Sequence, residues 1–184
     1  SDASTQRVTE YEYDKNNRVT KVIYPAPLGP EEFQYGELGN LRGKKDGNGA
    51  VTAYEYDELN RLVKVDYNHG SWPVGSITAA DVTYTYYGGT GLRQTMVDSS
   101  GTSSYEYDVR DRLETYTPPQ PAGHAALTYA YNDLDQKTSV STTGYAVSYT
   151  YYANGWLKQV TSGAQPIANY SYDPVGNRTQ VNLG

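Results

Sequence analysis

Residues 54–65 read Tyr-Glu-Tyr-Asp-Glu-Leu-Asn-Arg-Leu-Val-Lys-Val. Tyr54 and Tyr56 alternate with a charged residue, the period-two pattern of a half-buried strand. Asp57 then opens a turn, because its carboxylate can accept backbone N–H groups two residues on. Asn60, three residues later, is a type that tolerates positive φ. Asp at the start of a type I turn, with a left-handed residue closing it, makes the three-residue hairpin loop with a bulge. From Arg61 the alternation resumes through Leu62, Val63, Lys64 and Val65. The stretch therefore predicts strand, tight turn, strand.

The same frame recurs along the whole chain. Paired rings stand at Tyr11/Tyr13, Phe33/Tyr35, Tyr54/Tyr56, Tyr84/Tyr86, Tyr105/Tyr107, Tyr129/Tyr131, Tyr149/Tyr151 and Tyr170/Tyr172. The second rings are separated by 22, 21, 30, 21, 24, 20 and 21 residues. Asp follows the pair at Asp14, Asp57, Asp108 and Asp173, and Asn132 takes that place once. Three residues further on come Asn17, Gly39, Asn60, Asp111, Asp135, Gly155 and Gly176, types able to adopt positive φ. The fourth copy, Tyr87-Gly88-Gly89-Thr90-Gly91, is spaced one residue wider and predicts a longer turn. Gly49, Gly101, Gly144 and Gly163 mark the return connections. A unit of about 21 residues accommodates two strands of ordinary length and two connections. The expectation is a single repeat array over residues 1–184, all-β, an antiparallel meander of stacked hairpins with about sixteen strands, curved like part of a shell or spiral.

Composition agrees with a tyrosine-built sheet. Leu (11), Ile (3), Val (15) and Phe (1) make up only 16% of the 184 residues, whereas Tyr alone contributes 21. Tyrosine rings must therefore supply much of the buried apolar area. A net charge of -6 argues against a phosphate backbone as partner, so no nucleic acid is expected. No stretch approaches 18 apolar residues, so no membrane-spanning helix is expected. No charged segment followed by an apolar run opens the chain, so no signal peptide is read there. The absence of Cys excludes disulfides, thiolate metal sites and cysteine nucleophiles. Three longer connections carry proline: residues 25–30, residues 68–81 with Trp72 and Pro73, and Pro118-Pro119-Gln120-Pro121 with His124. They predict surface loops at sheet margins.

The segments Tyr54-Glu55-Tyr56-Asp57 with Asn60-Arg61-Leu62, Tyr105-Glu106-Tyr107-Asp108 with Arg112-Leu113, and Tyr170-Ser171-Tyr172-Asp173 with Gly176-Asn177-Arg178 resemble YD repeats, also called Rhs (rearrangement hotspot) repeats. The resemblance covers nearly the whole chain. It implies a strip of hairpins that spirals into a hollow shell, as in bacterial Rhs and Tc-type toxins, where the shell encloses a toxic C-terminal polypeptide. The animal teneurins carry related repeats. It further implies a secreted or bacterial cell-surface location, with neighbouring repeats of a longer protein and an enclosed toxin polypeptide as partners. The chain starts without Met and stops one strand after a repeat, and reads as an excised fragment. The family's self-cleaving core segment is not recognisable; Asp173-Pro174 lies inside an ordinary repeat and has a turn explanation.

Chemistry needs a nucleophile, base or metal held in mutual reach. His69 and His124 each fall in a Gly/Pro-rich loop and read as solvated. Motif aspartates one repeat apart would stand two strand spacings apart, roughly 10 Å, too far to share a proton. The reading is thus no enzyme, no catalytic residue, no metal and no cofactor, with Asp14, Asn17, Asp57, Asn60, Asp108, Asp111, Asp173 and Gly176 as turn residues. Arg18, Arg61, Arg112 and Arg178, just beyond the turns, are read as partners for an Asp of the next repeat. The alternative is a carbohydrate-binding or adhesion module built on aromatic ladders, with Trp72 and Trp156 as ligand-stacking rings and a glycan as partner. Gly155-Trp156-Leu157-Lys158 resembles the aromatic hairpins of choline- and glucan-binding proteins. Open edge strands at either end also invite self-association.

Overall fold

The computed structural model describes residues 7–120 and 124–184, so Pro121 of the third proline-rich connection lies outside the described residues. The described residues form sixteen β-strands and no helix. Strand order in the sheet follows chain order, and every pairing described is antiparallel. This is the all-β meander of hairpins expected from the period. No helix of the described residues is long and apolar enough to cross a membrane.

Contacts divide the chain into two compact units. The first, residues 1–85 with 97–99, carries β1 (Glu10–Tyr13), β2 (Val19–Ile23), β3 (Glu31–Tyr35), β4 (Leu41–Lys45), β5 (Val51–Tyr56), β6 (Leu62–Asp66) and most of β7 (Val82–Tyr86). The second, residues 86–96 with 100–184, carries β9 (Gly101–Tyr107), β10 (Leu113–Thr117), β11 (Leu127–Tyr131), β12 (Lys137–Thr142), β13 (Tyr145–Tyr151), β14 (Leu157–Ser162), β15 (Gln165–Tyr172) and β16 (Arg178–Leu183). Residues of β8 (Arg93–Asp98) are divided between the two.

Alternation sorts the side chains into two faces. In the second unit Tyr105 faces Tyr116, Tyr129 faces Val140, Tyr149 faces Val160 and Tyr170 faces Val181. The opposite face pairs Thr115 with Thr128, Ser139 with Ser148 and Gln159 with Asn169. Such a sheet buries few side chains fully, and in this unit only Ala168 and Ser103 are buried among the described residues.

The first unit differs. Its non-tyrosine face is crossed by residues 68–81, which were expected at the sheet margin. Val74 and Ile77 from this segment join Val51 and Ala53 of β5 in the buried cluster, with Trp72 and Ala80 packed against it. The backbone of Val74 exchanges two hydrogen bonds with the Gln34 side-chain amide, donating at 2.7 Å and accepting at 3.2 Å. Ile77 donates to Glu55 at 3.2 Å, and its carbonyl accepts from Lys64 at 3.3 Å. The Trp72 indole N–H donates to Glu32 at 3.1 Å. A segment without strand periodicity thus becomes a second layer, because a sheet face with Ala53 and Gly43 opposite one another leaves room for it.

Candidate functional site

The repeated chemistry lies at the hairpin turns. At Asp57 the turn closes with Asn60 donating to the Asp57 carbonyl at 3.0 Å, and the Asp57 N–H donates to the Arg61 carbonyl at 2.9 Å. Oδ1 of Asp57 accepts the N–H groups of Leu59 (3.0 Å) and Arg61 (2.9 Å), while Oδ2 accepts Arg61 Nε at 2.7 Å. Asp14 and Asp108 repeat this arrangement with Arg18 and Arg112. At Asp173 the fifth residue is Asn177, whose side-chain amide donates to Oδ2 at 2.8 Å. Asn17, Asn60, Asp111 and Asp135 have φ of 60°, 65°, 61° and 59°, and Gly176 has 92°. The extra turn residue appears as a register shift at the second ring, so Tyr56 stands opposite Leu62 and Tyr172 opposite Arg178.

Charge follows from this bonding. The Arg61 side chain, then its backbone N–H, holds the Asp57 carboxyl below the usual range. Asp108 is lowered first by the Arg112 side chain, Asp173 first by the Asn177 side chain, and Asp14 first by the Arg18 backbone N–H. Arg18, Arg61 and Arg112 therefore pair within their own turns, where the sequence suggested the next repeat's Asp, while Arg178 follows Asn177 and lies 5.8 Å over the Tyr170 ring. Four residues is the separation the bulged turn brings side by side. Arg112 adds the expected longer reach as well, meeting Asp135 at 2.7 Å, and Arg110 lies 3.5 Å from Asp133 and from Asp135.

Beyond the turn, Arg18 and Arg112 reach the next hairpin. The Arg18 guanidinium lies 4.6 Å over the Tyr35 ring, and Arg112 lies 4.6 Å over Tyr131. Where Asn132 replaces Asp, its partner Gln136 donates to the Gly155 carbonyl at 2.8 Å. Tyr87 and Tyr152 occupy the Asp position in two other repeats. Their hydroxyls donate to the carbonyls of Tyr105 and Tyr170, and their rings meet Tyr107 and Tyr172 edge-on at 6.2 Å. From the sequence, Tyr87 was read only as the start of a longer turn and Tyr152 was not singled out, although the Tyr86-Tyr87 and Tyr151-Tyr152 doublets were the available signal.

A second link runs through the second ring of five of the pairs. The hydroxyls of Tyr35, Tyr56, Tyr131, Tyr151 and Tyr172 donate to the carbonyls of Val19, Leu41, Leu113, Lys137 and Leu157, at 2.7–3.0 Å. Each acceptor is the sixth residue after the preceding repeat's second ring. Burial raises the phenol pKa of Tyr56, Tyr131 and Tyr151.

The remaining singled-out residues are dispersed. Trp72 packs on the first unit's core and bonds Glu32. Trp156 lies 5.1 Å from Tyr172 and lines an open cleft of about 450 Å³ with Tyr152, Asn154 and Ser171. His69 is half-buried, its Nδ1 2.8 Å from Asp66 Oδ2, rather than solvated; His124 is exposed. An open cleft of about 800 Å³ is lined by Tyr87, Tyr107, Glu106, Asp108, Asp111 and Glu114 among others. Among the described residues no group of three or more His, Asp or Glu is placed to hold a metal ion.

The RHS repeat family model matches residues 35–71, which contain the Gly36–Asn40 and Asp57–Arg61 turns. An RHS repeat sequence is therefore present there. No curated protein matches the chain. The crystal structure of TcdB2-TccC3 superimposes with a TM-score of 0.67 at 12% identity, over 96% of this chain and 12% of that one. The crystal structure of TcdB2-TccC3 without its hypervariable C-terminal region aligns over 96% of this chain and 14% of its own, at 13% identity and a TM-score of 0.46. The fold likeness rests on the first. The chain spans only about an eighth of the length of that protein.

Proposed function

We propose that the chain is a non-catalytic structural segment of a secreted bacterial Rhs-type protein, one stretch of a β-shell that houses a toxin polypeptide. In this reading residues 1–184 form one repeat array. The observation that carries it is the tyrosine hydroxyl bond that recurs in five hairpins, each time to the sixth residue beyond the ring of the hairpin before. Together with the turn struts, it directs the motif's polar groups into the hairpin or its neighbour, the arrangement of a wall that propagates by stacking. The RHS match and the fold likeness to TcdB2-TccC3 support the same reading.

The test belongs to the parent protein. Limited proteolysis of the intact chain should leave a polypeptide that follows the repeats uncut until the repeats are unfolded. Cleavage of that polypeptide in the native protein at the rate of its free form would refute enclosure. One observation favours a second reading, a glycan-binding module: the open cleft beside Trp156 and Tyr152. Saturable binding on a glycan array, lost in Trp156→Ala, would select it over the shell.

A further inference from the structure

At two hairpin turns the chain's own guanidinium group fills the gap to the next tyrosine. Asp14 holds Arg18 at 4.6 Å over Tyr35, and Asp108 holds Arg112 at 4.6 Å over Tyr131. In both turns the arginine is the residue whose carbonyl accepts the aspartate N–H. By that bond their counterparts in the fourth repeat are Tyr87 and Leu92, joined at 2.9 Å. Neither is charged, so this pair brings no cation to the gap before Tyr107. Arg93, next in the chain, lies over Tyr105 instead, 5.8 Å from the ring centroid.

That gap is the open cleft of about 800 Å³. Tyr87 and Tyr107 supply its aromatic wall, with their rings at right angles and 6.2 Å apart. Glu106, Asp111 and Glu114 line it as well, and no basic residue does. All three acids are exposed, and none takes part in an ion pair among the described residues. Arg110 and Arg112, the basic residues of the turn that bears Asp111, are directed to Asp133 and Asp135 of the following hairpin. Nor does any group of three acids among the described residues stand close enough to hold a metal ion. A cleft of this volume, in the range of small-molecule sites, with spread acids and ring faces, suits a larger organic cation.

From this we infer that the cleft binds an arginine side chain of another polypeptide, whose guanidinium takes the place that Arg18 and Arg112 fill at their own turns. Those two arginines show the chemistry that fits the gap: a planar cation over a tyrosine ring, held by a neighbouring carboxylate. A guanidinium stacks on aromatic faces and presents five N–H donors to carboxylates, which the compact ammonium of lysine does not match. Charge complementarity points the same way, since the three acids have no cation of their own. The other two junction clefts lack this combination. The one beside Gly36 already holds Arg42, and the one beside Tyr152 is lined by no acid. The inference goes beyond the shell reading and is measured without reference to any enclosed polypeptide.

Titration of the isotope-labelled 184-residue chain with Nα-acetyl-arginine amide, followed by amide NMR spectra, tests it. Shifts should saturate with a dissociation constant of about 1–10 mM and be confined to residues 87–92 and 106–114. Nα-acetyl-lysine amide should bind several-fold more weakly. Free arginine should also bind more weakly, because its carboxylate is repelled by the acids. E106Q/E114Q changes only exposed side chains and should weaken binding roughly three- to tenfold. E58Q, on the exposed part of another turn, should leave binding unchanged. Leu92→Arg returns a guanidinium to the turn and should abolish binding, with shifts elsewhere in the spectrum preserved. No saturation up to about 50 mM, well above the expected range, overturns the inference. So do lysine or free arginine binding as tightly as the capped arginine, shifts spread over the acidic surface at large, or binding in E106Q/E114Q or Leu92→Arg equal to wild type.

Discussion

Gly43→Ala isolates the seating of residues 68–81 on the sheet. A Cβ placed on Gly43 would stand 2.7 and 2.8 Å from the two methyl carbons of Val74, and 3.1 Å from Trp72 Cζ3. Carbon atoms rest at about 3.5–4.0 Å, so the segment has to move by close to an ångström. Val74 is a branched side chain, 6% exposed and clamped through its backbone to Gln34, so it has no easy direction of retreat. Overpacking of this kind costs about 1–3 kcal/mol. Replacing glycine in a strand returns about 0.5–1 kcal/mol, leaving a net loss of roughly 0.5–2 kcal/mol. Val74→Ala alone removes apolar groups worth about 0.8 kcal/mol per buried carbon and leaves a cavity, so about 2 kcal/mol is expected. In the double variant the new methyl group enters the space Val74 vacated. The two losses should therefore fall short of additivity by about 1–2 kcal/mol, within the range seen for residues in contact. Urea unfolding of the four proteins measures the cycle, with Gly75→Ala, whose added Cβ meets nothing within 4 Å, as the control on the same segment. A Gly43→Ala variant as stable as wild type, with strictly additive effects, would show that the segment is not docked on this face.

The other predictions concern the turns and the links between hairpins. Tyr131→Phe removes the hydroxyl bond to Leu113 and should cost about 0.5–1.5 kcal/mol; an unchanged urea midpoint would deny that link any role in stability. Gly176→Val should cost about 2 kcal/mol or more, because φ is 92° and the new Cβ would meet Trp156 at 2.8 Å. Gly49→Val, with φ of 89° and open space, should be milder; equal losses at both sites would remove Trp156 from the explanation. Asp14, Asp57, Asp108 and Asp173 titrate below the unfolded value of 3.8. The folded chain thus binds fewer protons than the unfolded chain in that range. Their contribution is complete above the unfolded value and is lost as pH falls through the lowered folded values. A urea midpoint that stays flat as pH is lowered through and below 3.8 would contradict this.

How far the sequence could be read depended on whether its signal was local. Strand, turn and strand are written within about ten residues, so the ring pairs and the Asn or Gly that follows them at fixed distance lead directly to a meander of hairpins. Residues 68–81 carry no such period. Their Val74 and Ile77 become core only because Gly43 and Ala53, distant in sequence, leave a shallow face. Arginine partners were misread for a related reason: the bulge places residue five of the turn beside residue one, which the spacing alone does not show. Half-burial of His69 depends on Asp66, three residues earlier, at the end of a strand whose continuation could not be placed from composition.

The variation at the Asp position can be understood through the job each residue does for the following hairpin. Asp fixes an arginine that covers the next tyrosine, as Arg18 covers Tyr35. Asn132 fixes Gln136, which donates to the Gly155 carbonyl. Tyr87 and Tyr152 reach across by themselves, with hydroxyl to carbonyl and ring edge to ring face. These solutions differ in charge, yet each spans the same gap of one hairpin. Where that position carries a side chain in these repeats, what recurs is reach to the next repeat, and a carboxylate is only one way to supply it; Gly36 closes the same backbone turn in the second repeat with no side chain at all. Asp57→Asn combined with Arg61→Gln transplants the neutral solution into an Asp repeat, and should retain more stability than Asp57→Asn alone, where the guanidinium loses its acceptor. A double variant less stable than the single would mean that the aspartate charge itself, rather than the link it positions, holds the hairpins together.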